Sequence, residues 1–362
     1  METTSHLDYM KLALQLAEQG RFTTSPNPMV GCVIVKDGQI VGQGYHERAG
    51  SPHAEVHALQ MAGEAAKGAT VYVTLEPCCH FGRTPPCSQA LIRAGVKKVY
   101  AASLDANPLV AGKGIAELKA HGIEVETGLA EAEALQLNEI FFHYITKRRP
   151  FVIAKWAMSL DGKTITNPED SRQISCENSS SHTHGIRRAV DAILVGAKTV
   201  RNDNPQLTAR STVPSEIISK QPIRVILTSD GKLPTDLKIF SSELPGKTWI
   251  ATTIPVDAAW QKQIEASGAE VLALPKNAAG QVSLPDLLNE LGKRGITSIL
   301  VEGGMTVHES FFKENLVDKI HVYLAPVFIG SLDKKAVIEN LDMSPLGRDY
   351  YFSANLAENS DV

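Results

Sequence analysis

The sequence predicts an α/β protein of two consecutive domains, and three observations carry that expectation. Strand-like apolar runs alternate with amphipathic helical stretches over nearly the whole chain. The alternation is broken once, at the basic, proline-terminated stretch Lys147-Arg148-Arg149-Pro150, and then starts again. The length, 362 residues, suits about two or three domains of ordinary size. The division therefore falls near 148, giving domains over 1–148 and 149–362.

Ser5 is placed to cap an opening helix, with Asp8 three residues on. Leu7, Met10, Leu14 and Ala17 share one face of that helix, and Gly20 ends it. Two strands follow, at 29–36 and 40–45, joined by Asp37-Gly38, a strong hairpin signal. A helix over 54–67 leads to a strand at 70–75. A helix at 88–94 precedes a strand at 96–102, and the pair repeats as helix 114–121 and strand 123–127. One more helix, over 130–144, closes the first domain. In the second, strands are expected at 151–158, 192–195, 223–228, 248–251, 270–274, 298–301 and 320–325, with helices between most of them. Residues 205–221 are rich in proline and serine and read as a long loop, a kind of segment that often carries function. No internal repeat is visible, and the tail after about Leu341 is polar with no legible role.

Composition narrows the class. Hydrophobic residues make up 43% and charged residues 21%, which supplies a core and a solvated surface and excludes a disordered chain. The net charge of −4 argues against long duplex nucleic acid as the main partner. The longest apolar runs fall far short of a membrane span, and the N-terminus lacks a basic head followed by an apolar stretch. A cytoplasmic location without membrane association is expected. The five cysteines are Cys32, Cys78, Cys79, Cys87 and Cys176, an odd number that does not suggest a disulfide framework. Three of them fall within ten residues, which marks a metal or catalytic centre. Cys32, inside an apolar strand, reads as core.

The chain carries His53-Ala54-Glu55 and, after an intervening helix and strand, Glu76-Pro77-Cys78, with Cys87 following. His-x-Glu with Pro-Cys and a second Cys is the signature of zinc nucleobase deaminases. One imidazole (His53) and two thiolates (Cys78, Cys87) give zinc three ligands and leave a fourth position for water, the pattern of a catalytic site. Zinc lowers the pKa of bound water to about 7. Glu55, two residues beyond the histidine and near a helix start, can then take the water's proton and deliver it to the ring nitrogen and to leaving ammonia. Pro77 suits a strand ending where a helix begins, and a helix N-terminus favours a thiolate. The competing reading closes the site with Cys79 or His80 as a fourth ligand and makes the zinc structural. The eight residues between the thiols depart from Cys-x-x-Cys.

Thr-Ser-Pro-Asn-Pro-Met-Val-Gly at 24–31, His53-Ala54-Glu55, and Thr-Leu-Glu-Pro-Cys-Cys-His-Phe-Gly-Arg-Thr-Pro-Pro-Cys at 74–87 together resemble the bifunctional riboflavin-biosynthesis deaminase/reductases. The resemblance extends over the whole chain, and the long loop between the thiols is a feature of that family. It implies a cytidine-deaminase-like α/β/α zinc domain followed by a dihydrofolate-reductase-like α/β domain that uses NADPH. It also implies that Asn27 hydrogen-bonds the pyrimidine and that His46 and His80 help place the ribose phosphate. Pro26-Asn27-Pro28 is good turn chemistry in its own right, although an amide offers both a donor and an acceptor to a pyrimidine edge. Cys79 reads as a buried bystander thiol.

In the second half no GxGxxG is present, so a Rossmann site has no direct support. Glu302-Gly303-Gly304 lies between a strand and a helical stretch, where backbone N–H groups can meet a phosphate or simply make a turn. Ala154 through Lys163 and Val195 through Arg210 look like the family's reductase motifs. By that resemblance Ala157, Gln173, Thr199, Asp203, Ser229 and the turn Gly304, Met305, Thr306, Val307, His308, Glu309 and Ser310 border NADPH. Ser171, Arg187, Leu207, Arg210 and Glu302 border the substrate, with Arg187 and Arg210 as phosphate clamps. Lys155 and Glu302 are the candidates for handling protons during reduction, with strand-end ion pairing as the alternative.

The resemblance thus implies deamination of 2,5-diamino-6-ribosylamino-4(3H)-pyrimidinone 5′-phosphate, followed by NADPH-dependent reduction of the ribosyl group to ribityl. Zn2+ and NADPH are the expected cofactors, and phosphorylated pyrimidines the expected small-molecule partners. A homo-oligomer without nucleic acid is expected. The main competing reading is a tRNA base deaminase with an accessory domain, which calls for a basic surface and aromatic stacking near the zinc. The acidic balance and 6% aromatics weigh against it.

Overall fold

The computed structural model describes residues 5–80, 85–108, 110–164, 174–211, 218, 220–231, 233–329, 336–346 and 349–356. They form two compact units. The first takes in residues up to Phe151 together with Ala189–Asp191 and Leu284–Ser298; the second takes in Val152–Arg188, Ala192–Ser283 and the residues from Ile299 on.

In the first unit, α1 (His6–Glu18) starts at a capping box: Asp8 N–H donates to Ser5 Oγ at 3.3 Å, and Ser5 N–H donates to Asp8 Oδ2 at 2.9 Å. The hairpin of β1 (Gly31–Lys36) and β2 (Gln39–Tyr45) turns at Asp37 and Gly38, with φ of 50° and 76°, the left-handed pair that a two-residue turn requires. There follow α2 (Ala54–Ala62), β3 (Thr70–Val73), α3 (Cys87–Ala94), β4 (Lys98–Ala101), α4 (Lys113–Ala120) and β5 (Glu124–Thr127). The sheet order is β2-β1-β3-β4-β5, antiparallel up to β3 and parallel beyond it. Alternate residues of β1 feed two cores. Cys32 and Ile34 pack with Ala54 and Ala58 of α2, Leu91 of α3 and Leu118 of α4. Val33 and Val35 pack with Tyr9, Met10 and Ala13 of α1. Those two faces make the α/β/α layering, and Cys32 is core as expected.

Two expected helices differ. The stretch at 54–67 stops as α-helix at Ala62, where Gly63 takes φ 52°, and tightens into a 3₁₀ turn over Gly63–Ala66. The single helix expected over 130–144 is two, α5 (Glu131–Leu137) and α6 (Glu139–Lys147). Asn138 breaks it because its amide serves a distant strand end: Met29 N–H donates to Asn138 Oδ1 at 2.8 Å, and Asn138 Nδ2 donates to Met29 O at 2.9 Å.

The second unit contains β6 (Phe151–Ser159), α7 (Glu177–Ala189), β7 (Ala192–Gly196), α8 (Ala197–Asp203), β8 (Ile223–Leu227), β9 (Thr248–Thr253), α9 (Ala258–Ala266) and β10 (Glu270–Leu274). After α10 (Leu284–Lys293), which belongs to the first unit, come β11 (Ser298–Gly303), α11 (Met305–Lys313) and β12 (Lys319–Ala325). The strand order is β10-β9-β8-β7-β11-β6-β12. From β7 the chain proceeds outward through β8, β9 and β10, all parallel, while β11 pairs parallel on the other side of β7. The gap between β7 and β11 is therefore a topological switch point, where α/β sheets bind ligands beyond the carboxyl ends of their strands. The sequence suggested no element after the strand at 320–325, yet β14 (Ala336–Leu346) and β15 (Asp349–Leu356) pair antiparallel there, the second lying wholly in the tail after Leu341; the short β13 (Val327–Phe328) joins β14.

Candidate active site

Glycines on β2 let α2 approach the sheet closely. A Cβ on Gly42 would lie 2.2 Å from the Ala58 carbonyl, and one on Gly44 would lie 2.8 Å from that of Ala54. The start of α2 is thereby pressed onto the sheet, with His53 as its N-cap residue and Glu55 buried in its first turn. Cys87 is the first residue of α3, so the helix N-terminus expected beside Cys78 belongs to the other thiol; Cys87 N–H donates to Cys78 Sγ at 3.4 Å.

His53, Cys78 and Cys87 come together with all their donor atoms within 4.8 Å of one another. His53 Nδ1 lies 3.2 Å from Cys87 Sγ and 3.5 Å from Cys78 Sγ. Zinc–nitrogen and zinc–sulfur bonds of about 2.0 and 2.3 Å at a tetrahedral angle put the two atoms about 3.5 Å apart, so these donors fit a zinc ion. The Cys87 side chain hydrogen-bonds Cys78 and, with His53, favours its thiolate, while the same contact and burial push Cys87 up. Burial, then the Cys78 charge, raises Glu55 to about 7, a value suited to taking and returning a proton near neutrality. Cys79 is half-buried and stands outside the three-residue cluster.

A cavity of about 460 Å³ opens beside these groups. Asn27, His46, His53, Glu55, Cys78 and His80 all line it. His46 is buried, and its ring is fixed at both nitrogens: Nδ1 donates to Pro52 O at 3.1 Å, and Nε2 accepts from Asn27 Nδ2 at 3.2 Å. That pairing assigns the Asn27 amide, leaving its Oδ1 and second N–H for a ligand. Asp105 and Asn107 also line the cavity; reading the sequence did not single them out, although Asp105-Ala106-Asn107-Pro108 follows β4, where sites gather.

Glu76, 3% exposed, has no role legible in its motif, and the structure gives it one. Its carboxylate accepts from the N–H groups of Asp105 (3.2 Å), Gly112 (2.8 Å), Gly114 (3.0 Å) and Ile115 (3.2 Å). It thereby anchors the start of α4 against the Cys78 loop. A Cβ on Gly114 would sit 2.0 Å from the Pro77 carbonyl, so the approach depends on that glycine.

In the second unit, Arg187 and Glu302 form a two-point ion pair, Nε to Oε1 at 2.6 Å and Nη2 to Oε2 at 2.7 Å. Arg187 Nη1 also donates to Thr208 O at 3.2 Å. Lys155 Nζ lies 5.2 Å from the centre of the Tyr323 ring, and burial lowers its pKa against the opposing pull of Glu302. His308 is 2% exposed, with neither ring nitrogen hydrogen-bonded, and its ring centre lies 5.7 Å from that of Trp156. Gly196 ends β7 and Gly304 precedes α11. A Cβ on Gly196 would meet Val307 at 2.9 Å, and one on Gly304 would meet Thr199 Oγ1 at 3.1 Å. Those glycines keep a backbone cradle open at the switch point, which fits a dinucleotide phosphate. Leu207 is buried, Ala157 half-buried, and Asp203, Ser229, Met305, Thr306, Glu309 and Arg210 are exposed. Ser310 Oγ bonds back to Thr306 O at 2.9 Å. Ser171 and Gln173 lie outside the described residues.

Comparisons with known proteins agree with this layout. The profile of the cytidine and deoxycytidylate deaminase zinc-binding region matches residues 3–103, and that of the RibD C-terminal domain matches residues 150–350. The chain is 47% identical over 323 residues to the riboflavin biosynthesis protein RibD of Aquifex aeolicus, covering 89% of this chain and 87% of that one. It is 45% identical over 332 residues to RibD of Escherichia coli, covering 89% and 88%. Among solved structures, Acinetobacter baumannii RibD superposes with a TM-score of 0.80 at 38% identity, covering 97% of this chain and 99% of that one. A deaminase/reductase from Thermotoga maritima superposes with a TM-score of 0.76 at 34% identity, covering 96% and 97%.

Proposed function

The chain belongs to the RibD family of riboflavin-biosynthesis proteins, and from that premise we propose how its residues divide the work. It is a bifunctional enzyme, a zinc-dependent pyrimidine deaminase and an NADPH-dependent reductase. It deaminates 2,5-diamino-6-ribosylamino-4(3H)-pyrimidinone 5′-phosphate and then reduces the ribosyl group of 5-amino-6-(5-phosphoribosylamino)uracil. We assign the first step to residues 1–148 and the second to 149–362.

In the deaminase, His53, Cys78 and Cys87 hold the zinc. When bound, the ion supplies Lewis acidity toward water. Asn27 orients the pyrimidine through the amide edge that His46 leaves open. Glu55 takes one proton from the attacking water, passes it to the ring nitrogen, and carries the next to the departing ammonia. Water is consumed and ammonia released, with no change in oxidation state. The observation that carries this reading is the gathering of one imidazole and two cysteine sulfurs within 4.8 Å beside a buried carboxylate that opens on a cavity.

In the reductase, the cradle between β7 and β11 takes the cofactor, which supplies hydride to C1′ of the opened ribose. Arg187 fixes the Glu302 carboxylate through two hydrogen bonds. Lys155, whose ammonium is weakened by burial, supplies the proton that accompanies the hydride. Arg210 meets the substrate phosphate from the exposed loop. The net charge of −4 supports a small-molecule enzyme without a nucleic-acid partner. No described helix is long and apolar enough to cross a membrane, which fits a cytoplasmic location. Exposed Ile320 and Val322 on the edge strand β12 support a homo-oligomer.

The test follows ammonia release and NADPH oxidation together in zinc-loaded protein given the diaminopyrimidinone ribotide. Ammonia followed by NADPH loss is expected. NADPH loss without ammonia would contradict the order, and neither signal from zinc-bound protein would contradict the substrate.

A further inference from the structure

The loop that carries Asn27 is tied down from far along the chain. Ser25 Oγ donates to Asp191 Oδ1 at 2.7 Å, across 166 positions of sequence. Asp191 is 5% exposed, and its other oxygen, Oδ2, accepts from the Thr297 N–H at 2.8 Å and from the Thr297 hydroxyl at 2.6 Å. Its own N–H donates to Ser298 Oγ at 3.0 Å. These residues all belong to the compact unit that holds the zinc ligands. One carboxylate oxygen is therefore spent on fixing Asp191 itself, and the other reaches the loop.

Ser25 stands two residues before Asn27, and Pro26, with its φ fixed by the ring, leaves little slack between them. Pro26, Asn27 and Pro28 form part of the cavity wall. The Asn27 amide is held from the other direction by His46. A hydroxyl-to-carboxylate bond is about twice as strong as a neutral one, and Asp191 is itself buried, which makes it the firm end of the arrangement.

We infer that Asp191 is a positioning residue for deamination: through Ser25 it fixes the Pro26–Pro28 wall and so sets the Asn27 amide against the pyrimidine. The inference rests on the reading of Asn27 as the residue that meets the ring. Asp191 does not line the cavity, and its effect reaches the reaction through the loop. Because it also holds Thr297, its removal alone would not separate positioning from stability, whereas Ser25→Ala leaves both Asp191–Thr297 bonds in place and removes only the Ser25 hydroxyl's contacts, to Asp191 Oδ1 and, at 3.4 Å, to Thr297 Oγ1.

The experiment uses the full, zinc-loaded chain carrying Ser25→Ala, Ser25→Thr, Asp191→Asn, Ser25→Ala with Asp191→Asn, or Asn27→Ala. Ammonia release from the diaminopyrimidinone ribotide is followed beside NADPH oxidation on the deaminated ribotide. Ser25→Ala is expected to raise the deaminase KM about tenfold with kcat within about threefold, at unchanged zinc content and an unchanged NADPH step. Ser25→Thr, which keeps the hydroxyl, restores KM. The double variant loses no more than the larger single loss, because both act on one link. A wild-type KM in Ser25→Ala, with a raised KM in Asn27→Ala, would overturn the inference and leave the pocket reading in place. An unchanged KM in Asn27→Ala would overturn the pocket reading, and the inference with it. Equal losses of both activities in Asp191→Asn, with none in Ser25→Ala, would reduce Asp191 to a structural role.

Discussion

Arg187 and Glu302, 115 positions apart, meet edge to edge, so that the guanidinium fork covers both oxygens of the carboxylate. The Glu302 side chain is 8% exposed and that of Arg187 18%, which leaves solvent little part in the pair. Removing one partner strands the other charge in a site with little water. Glu302→Gln is therefore expected to lower NADPH oxidation by about 100-fold, while ammonia release stays within about twofold. Arg187→Lys, a point charge in place of a fork, loses most of the same activity. Steady-state rates on each half-reaction check both.

Lys155 is buried enough that its ammonium gives up its proton below the ordinary value of 10.5; Arg187 adds to the effect and Glu302 opposes it. If that proton is used in reduction, the NADPH step falls on an alkaline limb below pH 10.5. Lys155→Arg keeps its charge throughout and is expected to abolish the limb along with most of the rate. A pH–rate profile with the deaminated ribotide measures it.

His46 is pushed below its ordinary 6.5, chiefly by burial, while its hydrogen bond to Pro52 resists. The depressed value favours the neutral ring, and only the neutral ring accepts from Asn27 at Nε2. Protonation would put a hydrogen there and turn the amide. The deaminase KM is expected to stay flat as pH falls through 6.5 and to rise only below that. The reading is taken in KM because kcat follows the protonation of Glu55. A KM already climbing at pH 7 would contradict the account.

Glu76 satisfies four backbone donors, and a glutamine offers them a weaker, half-donating group. Glu76→Gln is expected to cost about 2 kcal/mol of stability and to weaken zinc binding roughly tenfold by loosening the Cys78 loop. Thermal melts and chelator competition test the two effects separately.

What the sequence made legible was local. Asp37-Gly38 marked the hairpin because the left-handed turn is written in those two residues, and Ser5 with Asp8 marked the helix start. His53, Cys78 and Cys87 were legible because their chemistry restricts the residue types. The rest depended on distant partners. Nothing near Asn138 tells that its amide will reach Met29 and break a helix. Glu76 reads as a spacer in its motif until α4 turns its N–H groups toward it. Arg187 and Glu302 were both expected near substrate, yet only the folded sheet shows that they neutralise each other. The C-terminal hairpin stayed hidden because its apolar residues come in runs, Ala336-Val337-Ile338 and Tyr350-Tyr351-Phe352, rather than in the sustained alternation that marks a half-buried strand.

The central claim is that one chain holds two separate chemistries, with Glu55 moving protons only in the first. The most direct measurement takes purified Glu55→Gln and determines its zinc content, its ammonia release from the diaminopyrimidinone ribotide, and its NADPH oxidation on the deaminated ribotide. The account predicts about one zinc per chain, ammonia release reduced by roughly 1000-fold, and NADPH oxidation within about twofold of wild type. Wild-type ammonia release with zinc bound, or parallel loss of both activities, would contradict it.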